Sequence, residues 1–173
     1  MAGKKTRKPA PAKGAARKPM AGKSTRKAGA ARRPKTSKLV KPSPGWAKQR
    51  FAVSHHREQD FDAGLRTYAQ YRDLGLARAT DGMVQAHVIR FVPPCRPEEV
   101  SKLHFHDVDF QMVYVLKGSI TTEIEGQGAI TMQAGSCWTQ PPRVRHKVLD
   151  YSDDCEVLEI ILPAEFDTVM LEK

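Results

Sequence analysis

The sequence has 173 residues, 40% of them hydrophobic, and a formal charge of +10. This length gives room for one ordinary domain, and the modest hydrophobic fraction indicates that part of the chain does not fold. The absence of any run of 18 apolar residues excludes a membrane-spanning helix. No apolar segment follows the first lysines, so a secretory signal is not expected.

The basic charge is concentrated in residues 1–45, which contain fifteen lysines and arginines and no acidic residue. Six prolines and the lack of aromatic residues predict a disordered tail, because such a segment buries too little apolar surface to offset its ordering entropy. Its positive charges favour non-specific binding of nucleic acid; the alternative is a merely solubilising extension. The units KKTRKPA, AARKP and STRKAGAARRPK resemble a lysine-rich linker-histone tail in composition.

The rest of the chain is mildly acidic, with 14 basic against 19 acidic residues. Residues 46–67 are polar, and we expect a connecting arm or a short helix there. Residues 68–173 are expected to form an antiparallel all-β sandwich or barrel, because short β-type runs recur about every ten residues between Gly and Pro turns. The runs are TYAQYRDLGLA, MVQAHVIRFV, QMVYVLKG, SITTEIEG, AITM, SCWTQ, RHKVLDY and CEVLEIIL.

Three cysteines, Cys95, Cys137 and Cys155, stand at wide spacings. An odd number without a signal peptide favours a reducing, cytoplasmic environment and small buried thiols. A catalytic cysteine is the less favoured alternative.

The segment LHFHDVDF places two imidazoles one residue apart. Side chains on a strand repeat every two residues, so His104 and His106 point the same way, with Cα atoms about 6.6 Å apart. Two imidazoles at this separation can reach one metal ion. The alternative is a solvent-facing pair beside Asp107 and Asp109.

The spacing downstream resembles the two motifs of the cupin superfamily. In the first motif, HxH is followed by Glu after three or four residues and by Gly after six more. In the second, Gly, Pro-x-Gly, His and then Asn follow one another at fixed distances. Seven positions match, with Gln in place of the usual Glu: His104, His106, Gln111, Gly118, Gly135, Pro141 and His146.

The resemblance implies a jelly-roll barrel (a double-stranded β-helix), a homodimer and a small-molecule substrate. It also implies a divalent transition metal, such as iron, zinc, nickel or manganese, held by His104, His106, Gln111 and His146. Gln111 offers a weaker donor than the usual Glu, so it coordinates loosely or only orients a ligand. Arg143 replaces the usual Gly, and Asp150 replaces the usual Asn.

Two further residues are candidates for the chemistry. Arg143 precedes His146 and is either a solvated loop residue or a contact for an anionic substrate. Glu159 lies within the apolar run VLEIIL. It is either an outward-facing glutamate or an inward general base whose pKa is raised by burial.

Two functions are therefore weighed. The first is a metal-dependent cupin enzyme of the dioxygenase, lyase, isomerase or cyclase type. The second is a non-catalytic ligand-binding or sensor cupin whose basic tail adheres to nucleic acid. A barrel with a structural metal or none is a third possibility.

Overall fold

Short strands dominate the part of the chain that the structure describes, as the alternating sequence predicts. A computed structural model describes residues 48–64 and 66–171. Its strands are β1 Asp62–Ala63, β2 Ala69–Asp73, β3 Gln85–Phe91, β4 His104–Asp107, β5 Phe110–Lys117, β6 Ser119–Ile124, β7 Gly128–Gln133, β8 Cys137–Thr139, β9 His146–Tyr151, β10 Glu156–Leu162 and β11 Asp167–Met170. Two single-turn helices, α1 Leu76–Ala79 and α2 Pro97–Val100, and a 3-10 turn at Glu58–Asp60 complete it.

The strands form two antiparallel sheets. One has six strands in the order β1-β2-β3-β10-β5-β8, and the other has five in the order β11-β4-β9-β6-β7. Non-consecutive neighbours such as β3 and β10 show that the chain crosses repeatedly between sheets, as in a jelly roll. The predicted fold class is therefore confirmed.

The eight predicted runs all contain strands, and the histidine pair lies on a strand, β4, as predicted. Two strands were not predicted: β1 has two residues and β11 has four. Such short segments carry little alternation of their own. The β11 strand is instead defined by pairing with β4, in which Thr168 lies opposite His106.

The core lies between the sheets, where inward side chains of both meet. On β6, Ile120, Thr122 and Ile124 are buried while their neighbours are partly exposed, so this strand shows the predicted alternation. The cluster at the centre is mostly aromatic and aliphatic: Tyr68, Ala69, Phe91, Val100, Val113, Val115, Ile120, Met132, Tyr151, Cys155 and Val157.

The three cysteines are free, as predicted, but they do not share one environment. Cys155 is buried and Cys95 is half-buried, whereas Cys137 is exposed on β8. The prediction of buried thiols is wrong for Cys137, because its side chain alternates outward while its neighbour Trp138 turns toward the interior.

The predicted disordered tail, residues 1–45, lies outside the described residues. From residue 48 the predicted connecting arm contacts the barrel: Arg90 of β3 hydrogen-bonds Glu58, and Arg72 of β2 hydrogen-bonds Ser54. Within 48–64 and 66–171, no helix has the length and apolar character required to cross a bilayer.

Candidate metal centre

Three histidines from two neighbouring strands converge inside the barrel. His104 and His106 point to one side of β4, and His146 of β9 lies directly opposite His104 in the sheet register. Their candidate ligand nitrogens all lie within 4.8 Å of one another. The structure thus brings together the three histidines that the two sequence motifs predict.

Hydrogen bonds on the far side of two rings select the form that binds metal. The Nδ1 atom of His104 lies 2.7 Å from the carbonyl of Lys102, and the Nδ1 atom of His146 lies 3.0 Å from the carbonyl of Val144. A carbonyl only accepts, so each Nδ1 carries the proton and each Nε2 keeps its lone pair.

The third ring completes a donor set suited to a divalent transition metal. His106 Nδ1 lies 2.9 Å from the hydroxyl of Thr168, which orients that imidazole from β11. Imidazole nitrogens bind such ions at about 2.0–2.1 Å. Three nitrogens that lie within 4.8 Å of one another are near enough to serve as candidate ligands of one ion.

Burial keeps these imidazoles neutral at physiological pH. It lowers the pKa of His104 to about 3 and that of His106 to about 4, and it also lowers the pKa of His146. The hydrogen bonds that His104 and His146 donate to backbone carbonyls, and the nearby charge of Glu159 at His106 and His146, oppose this shift only in part. Neutral imidazole is the ligand form, so the site is ready for metal without deprotonation.

The lowered pKa values predict that the metal-free protein loses stability in acid. Below pH 6.5 these histidines bind protons in the unfolded state but stay neutral in the folded state. The free energy of unfolding therefore falls as pH drops toward about 4. Urea unfolding of metal-free protein at pH 7.5, 6 and 5 measures this slope. His104→Gln removes one such group and should flatten it; an unchanged slope would contradict a neutral buried His104.

A cavity of about 800 Å³ opens beside the histidines. This is at the upper end of ligand pockets, which are typically about 300–1,000 Å³. Its walls are mainly apolar and aromatic: Tyr68, Tyr71, Ile89, Phe91, Val113, Ile120, Trp138, Val148, Val157, Phe166 and Met170. A small organic molecule with a large apolar portion therefore fits the space.

Gln111 and Glu159 reach the interior from the other sheet and bind each other. Gln111 is 2% exposed, and its Nε2 donates to Glu159 Oε1 at 2.5 Å. The second carboxylate oxygen, Oε2, lies 2.6 Å from His87 Nε2. Because the amide nitrogen faces a carboxylate, the amide oxygen is the Gln111 atom left for an ion.

Glu159 faces inward and lines the cavity, which is the inward alternative from the sequence. The expectation that its pKa is raised is wrong. Burial acts to raise the pKa of Glu159, but the hydrogen bonds from His87 and Gln111 and the charge of His87 outweigh it, and the pKa is lowered. The carboxylate is therefore ionised at neutral pH. Sequence analysis missed His87, although it shares strand parity with the inward Ile89 and Phe91.

Arg143 lies away from the cavity walls. Its Nε and Nη2 atoms each donate to Asp107 at 2.9 Å in a bidentate ion pair, and its side chain is 67% exposed. The predicted contact with substrate therefore finds no support, because the guanidinium is occupied at the surface. A different arginine, Arg66, approaches the histidines: its Nη2 lies 3.1 Å from His104 Nε2.

Solved structures of other proteins share this fold. KdgF from Halomonas sp. is 19% identical, with a TM-score of 0.52, and the alignment covers 65% of this chain and 96% of that one. The polyketide cyclase RemF from Streptomyces resistomycificus is 17% identical, with a TM-score of 0.55 and coverage of 70% and 87%. Oxalate decarboxylase from Bacillus subtilis is 18% identical, with a TM-score of 0.52 and coverage of 72% and 34%.

This chain thus spans about a third of the oxalate decarboxylase chain. No curated protein matches the sequence. Residues 95–161 match the Cupin_2 family, described as a cupin domain. That segment contains the three histidines, Gln111 and Glu159. Residues 95–161 are thus similar to a cupin domain, and the solved structures share the fold of this barrel.

Proposed function

We propose that this protein is a metal-dependent cupin enzyme acting on a small organic molecule, with chemistry of the dioxygenase, lyase, isomerase or cyclase type. One observation carries the proposal. Three neutral imidazoles place their candidate ligand nitrogens within 4.8 Å of one another beside a mostly apolar cavity of about 800 Å³. Three imidazoles gathered in a mostly apolar interior need polar partners; a shared metal ion would bind all three, in place of the hydrogen bonds that Arg66 and Gln140 now donate to the Nε2 atoms of His104 and His146.

His104, His106 and His146 would hold the ion through Nε2, and the amide oxygen of Gln111 would be a fourth, weaker donor. Iron, zinc, nickel and manganese all suit this donor set. A bound ion of this kind supplies Lewis-acid polarisation of a substrate oxygen or, if it is iron, a site for dioxygen chemistry.

Glu159 is the proposed proton acceptor. Its carboxylate is ionised and lines the cavity, and His87 and Gln111 hold both of its oxygens in place. A carboxylate with a lowered pKa is a weak base. It therefore suits a substrate proton that polarisation of an adjacent oxygen has already made acidic.

Turnover by the metal-loaded full chain tests the enzyme proposal. Loaded wild type, metal-depleted wild type and loaded Glu159→Gln are incubated with a panel of small organic acids and carbonyl compounds, and products are followed by mass spectrometry. We expect turnover only by loaded wild type, with strong loss in Glu159→Gln. Binding of a compound without turnover would favour the ligand-binding or sensor alternative.

Two partner proposals concern separate parts of the chain. The fifteen basic residues of 1–45 support weak, salt-sensitive binding of nucleic acid. The outward face of β5 exposes three large apolar side chains, Phe110, Tyr114 and Leu116, which supports a homodimer through this sheet.

Deletion of residues 1–45 should separate these two properties. The full chain should bind duplex DNA with a dissociation constant of roughly 10⁻⁴–10⁻⁶ M at physiological salt. The shortened chain should lose that binding yet sediment as a dimer with unchanged metal content. Fluorescence anisotropy measures DNA binding, and sedimentation velocity measures the oligomeric state. DNA binding that survives the deletion would place the nucleic-acid surface elsewhere.

A further inference from the structure

Arg66 reaches the candidate metal centre from outside both cupin motifs. It lies just before β2, and its side chain is half-buried where it lines the cavity. One guanidinium nitrogen, Nη1, hydrogen-bonds the hydroxyl of Tyr68. The other, Nη2, donates to His104 Nε2 over 3.1 Å.

This last contact uses the atom that a metal would need. An imidazole Nε2 has a single lone pair, and a guanidinium only donates and stays charged. Arg66 and a metal ion therefore compete for His104. A metal at His104 leaves the Nη2 group without its acceptor, in a half-buried position beside a second cation.

Within residues 48–64 and 66–171, no carboxylate is paired with Arg66 to take over that hydrogen bond. None of the ion pairs formed by the described residues includes Arg66. Two carboxylates line the cavity, but each is engaged: Glu159 with His87, and Glu99 with Arg96. An anionic ligand would supply the acceptor that these carboxylates do not.

We propose that Arg66 and the metal together bind the anionic oxygen of the substrate, so that the substrate is a small organic acid with an apolar body. The proposal rests on the proposed function. A carboxylate offers two oxygens, one for the metal and one for the guanidinium, and charge-assisted hydrogen bonds of this kind are strong.

The cavity walls define the rest of the molecule. Tyr71, Phe91 and Trp138 contribute aromatic surface, and Ile89 and Val157 contribute aliphatic surface. A cavity of about 800 Å³ accommodates a body at least as large as an aromatic ring. Aromatic or long aliphatic acids therefore match both the charge and the shape better than sugars or small hydrophilic acids.

The test uses the full chain loaded with Co²⁺, whose visible spectrum reports the ligand shell. Benzoate is the anionic probe, and benzamide is its uncharged counterpart of the same shape. The variants are Arg66→Gln, which removes the charge, and Arg66→Lys, which keeps it without the planar fork. Arg78→Gln, at an exposed arginine of α1, is the matched control.

We expect Co²⁺ affinity without benzoate to be equal or several-fold higher in Arg66→Gln, because the competing donor is gone. Benzoate binding to the loaded variant should weaken by about 10–100-fold, since a hydrogen bond to a charged group contributes about 1.5–3 kcal/mol. The benzoate affinity of Arg66→Lys should lie between those of wild type and Arg66→Gln, and that of Arg78→Gln should match wild type. The affinity for benzamide should hardly change in any of the three variants.

The outcomes separate the two proposals. Wild type that takes up no Co²⁺ would overturn the metal centre and this inference with it. Loaded wild type that binds no benzoate, or that binds it as tightly after Arg66→Gln, would overturn only the anion site and leave the metal-dependent function standing.

Discussion

His104→Ala and His146→Ala should each abolish stoichiometric metal while the barrel stays folded. Each change removes one of three converging ligands, and the loss of affinity should exceed the ~10–100-fold that changes to groups behind a ligand already cause. The barrel survives because its core is apolar and lies on both sheets. Elemental analysis and far-UV circular dichroism of purified protein check the two statements.

His55→Ala is the matched control, because His55 is an exposed histidine on the arm. It should retain wild-type metal. Full metal occupancy in either His104→Ala or His146→Ala would mean that the ion binds elsewhere.

Gln111→Glu should destabilise the metal-free protein strongly at neutral pH. It places a second carboxylate against Glu159 Oε1, which now accepts a hydrogen bond from Gln111 over 2.5 Å. Two carboxylates at that distance cannot both stay ionised, so one pKa rises. Loss of a partner from a buried charged pair typically costs about 3–5 kcal/mol, and a loss of this order is expected.

The pH dependence of that loss is diagnostic. A carboxyl group with a raised folded pKa is protonated in the folded state over a range where the unfolded state is ionised. Stability of the variant relative to wild type should therefore fall as pH rises from about 4.3 toward 7.5. A bound metal should restore much of the lost stability, because the new carboxylate at position 111 neutralises part of the ion's charge.

Urea unfolding at pH 5 and 7.5, with and without Zn²⁺, measures these effects. Gln127→Glu, at an exposed turn, is the control and should change stability little. A Gln111→Glu protein with wild-type stability at both pH values would contradict the contact between Gln111 and Glu159.

The sequence predicted most of the barrel and the histidines because both depend on local spacing. Alternation along β6 and the HxH pattern of β4 each fix a side-chain direction within a few residues. The second motif brings His146 to the same site through its register with His104. These features need no knowledge of distant contacts.

The interactions that the sequence did not predict join segments far apart in the chain. Gln111 lies 48 residues from Glu159, and Arg66 lies 38 residues from His104. Neither pair shows a spacing that could be recognised in a single sequence. From the motif alone, Gln111→Glu restores the commoner cupin ligand; the adjacent Glu159 turns the same change into a clash of charges.

The charge around the candidate metal centre also depends on a contact between distant residues. Three histidines and a glutamine suggest an uncharged donor set, yet Glu159 contributes a buried negative charge one hydrogen bond beyond Gln111. Its charge acts on His106 and His146. A bound dication would therefore be partly compensated through the protein without a carboxylate among its proposed ligands.

Metal content and coordination of the wild-type full chain test the central claim most directly. The protein is purified without metal-affinity chromatography and analysed by elemental analysis and X-ray absorption spectroscopy. We predict about one divalent transition metal per chain, with three imidazole nitrogens at about 2.0–2.1 Å and remaining ligands that are oxygens. Protein that neither carries nor takes up stoichiometric metal, or an ion with fewer than three imidazoles, would contradict the account.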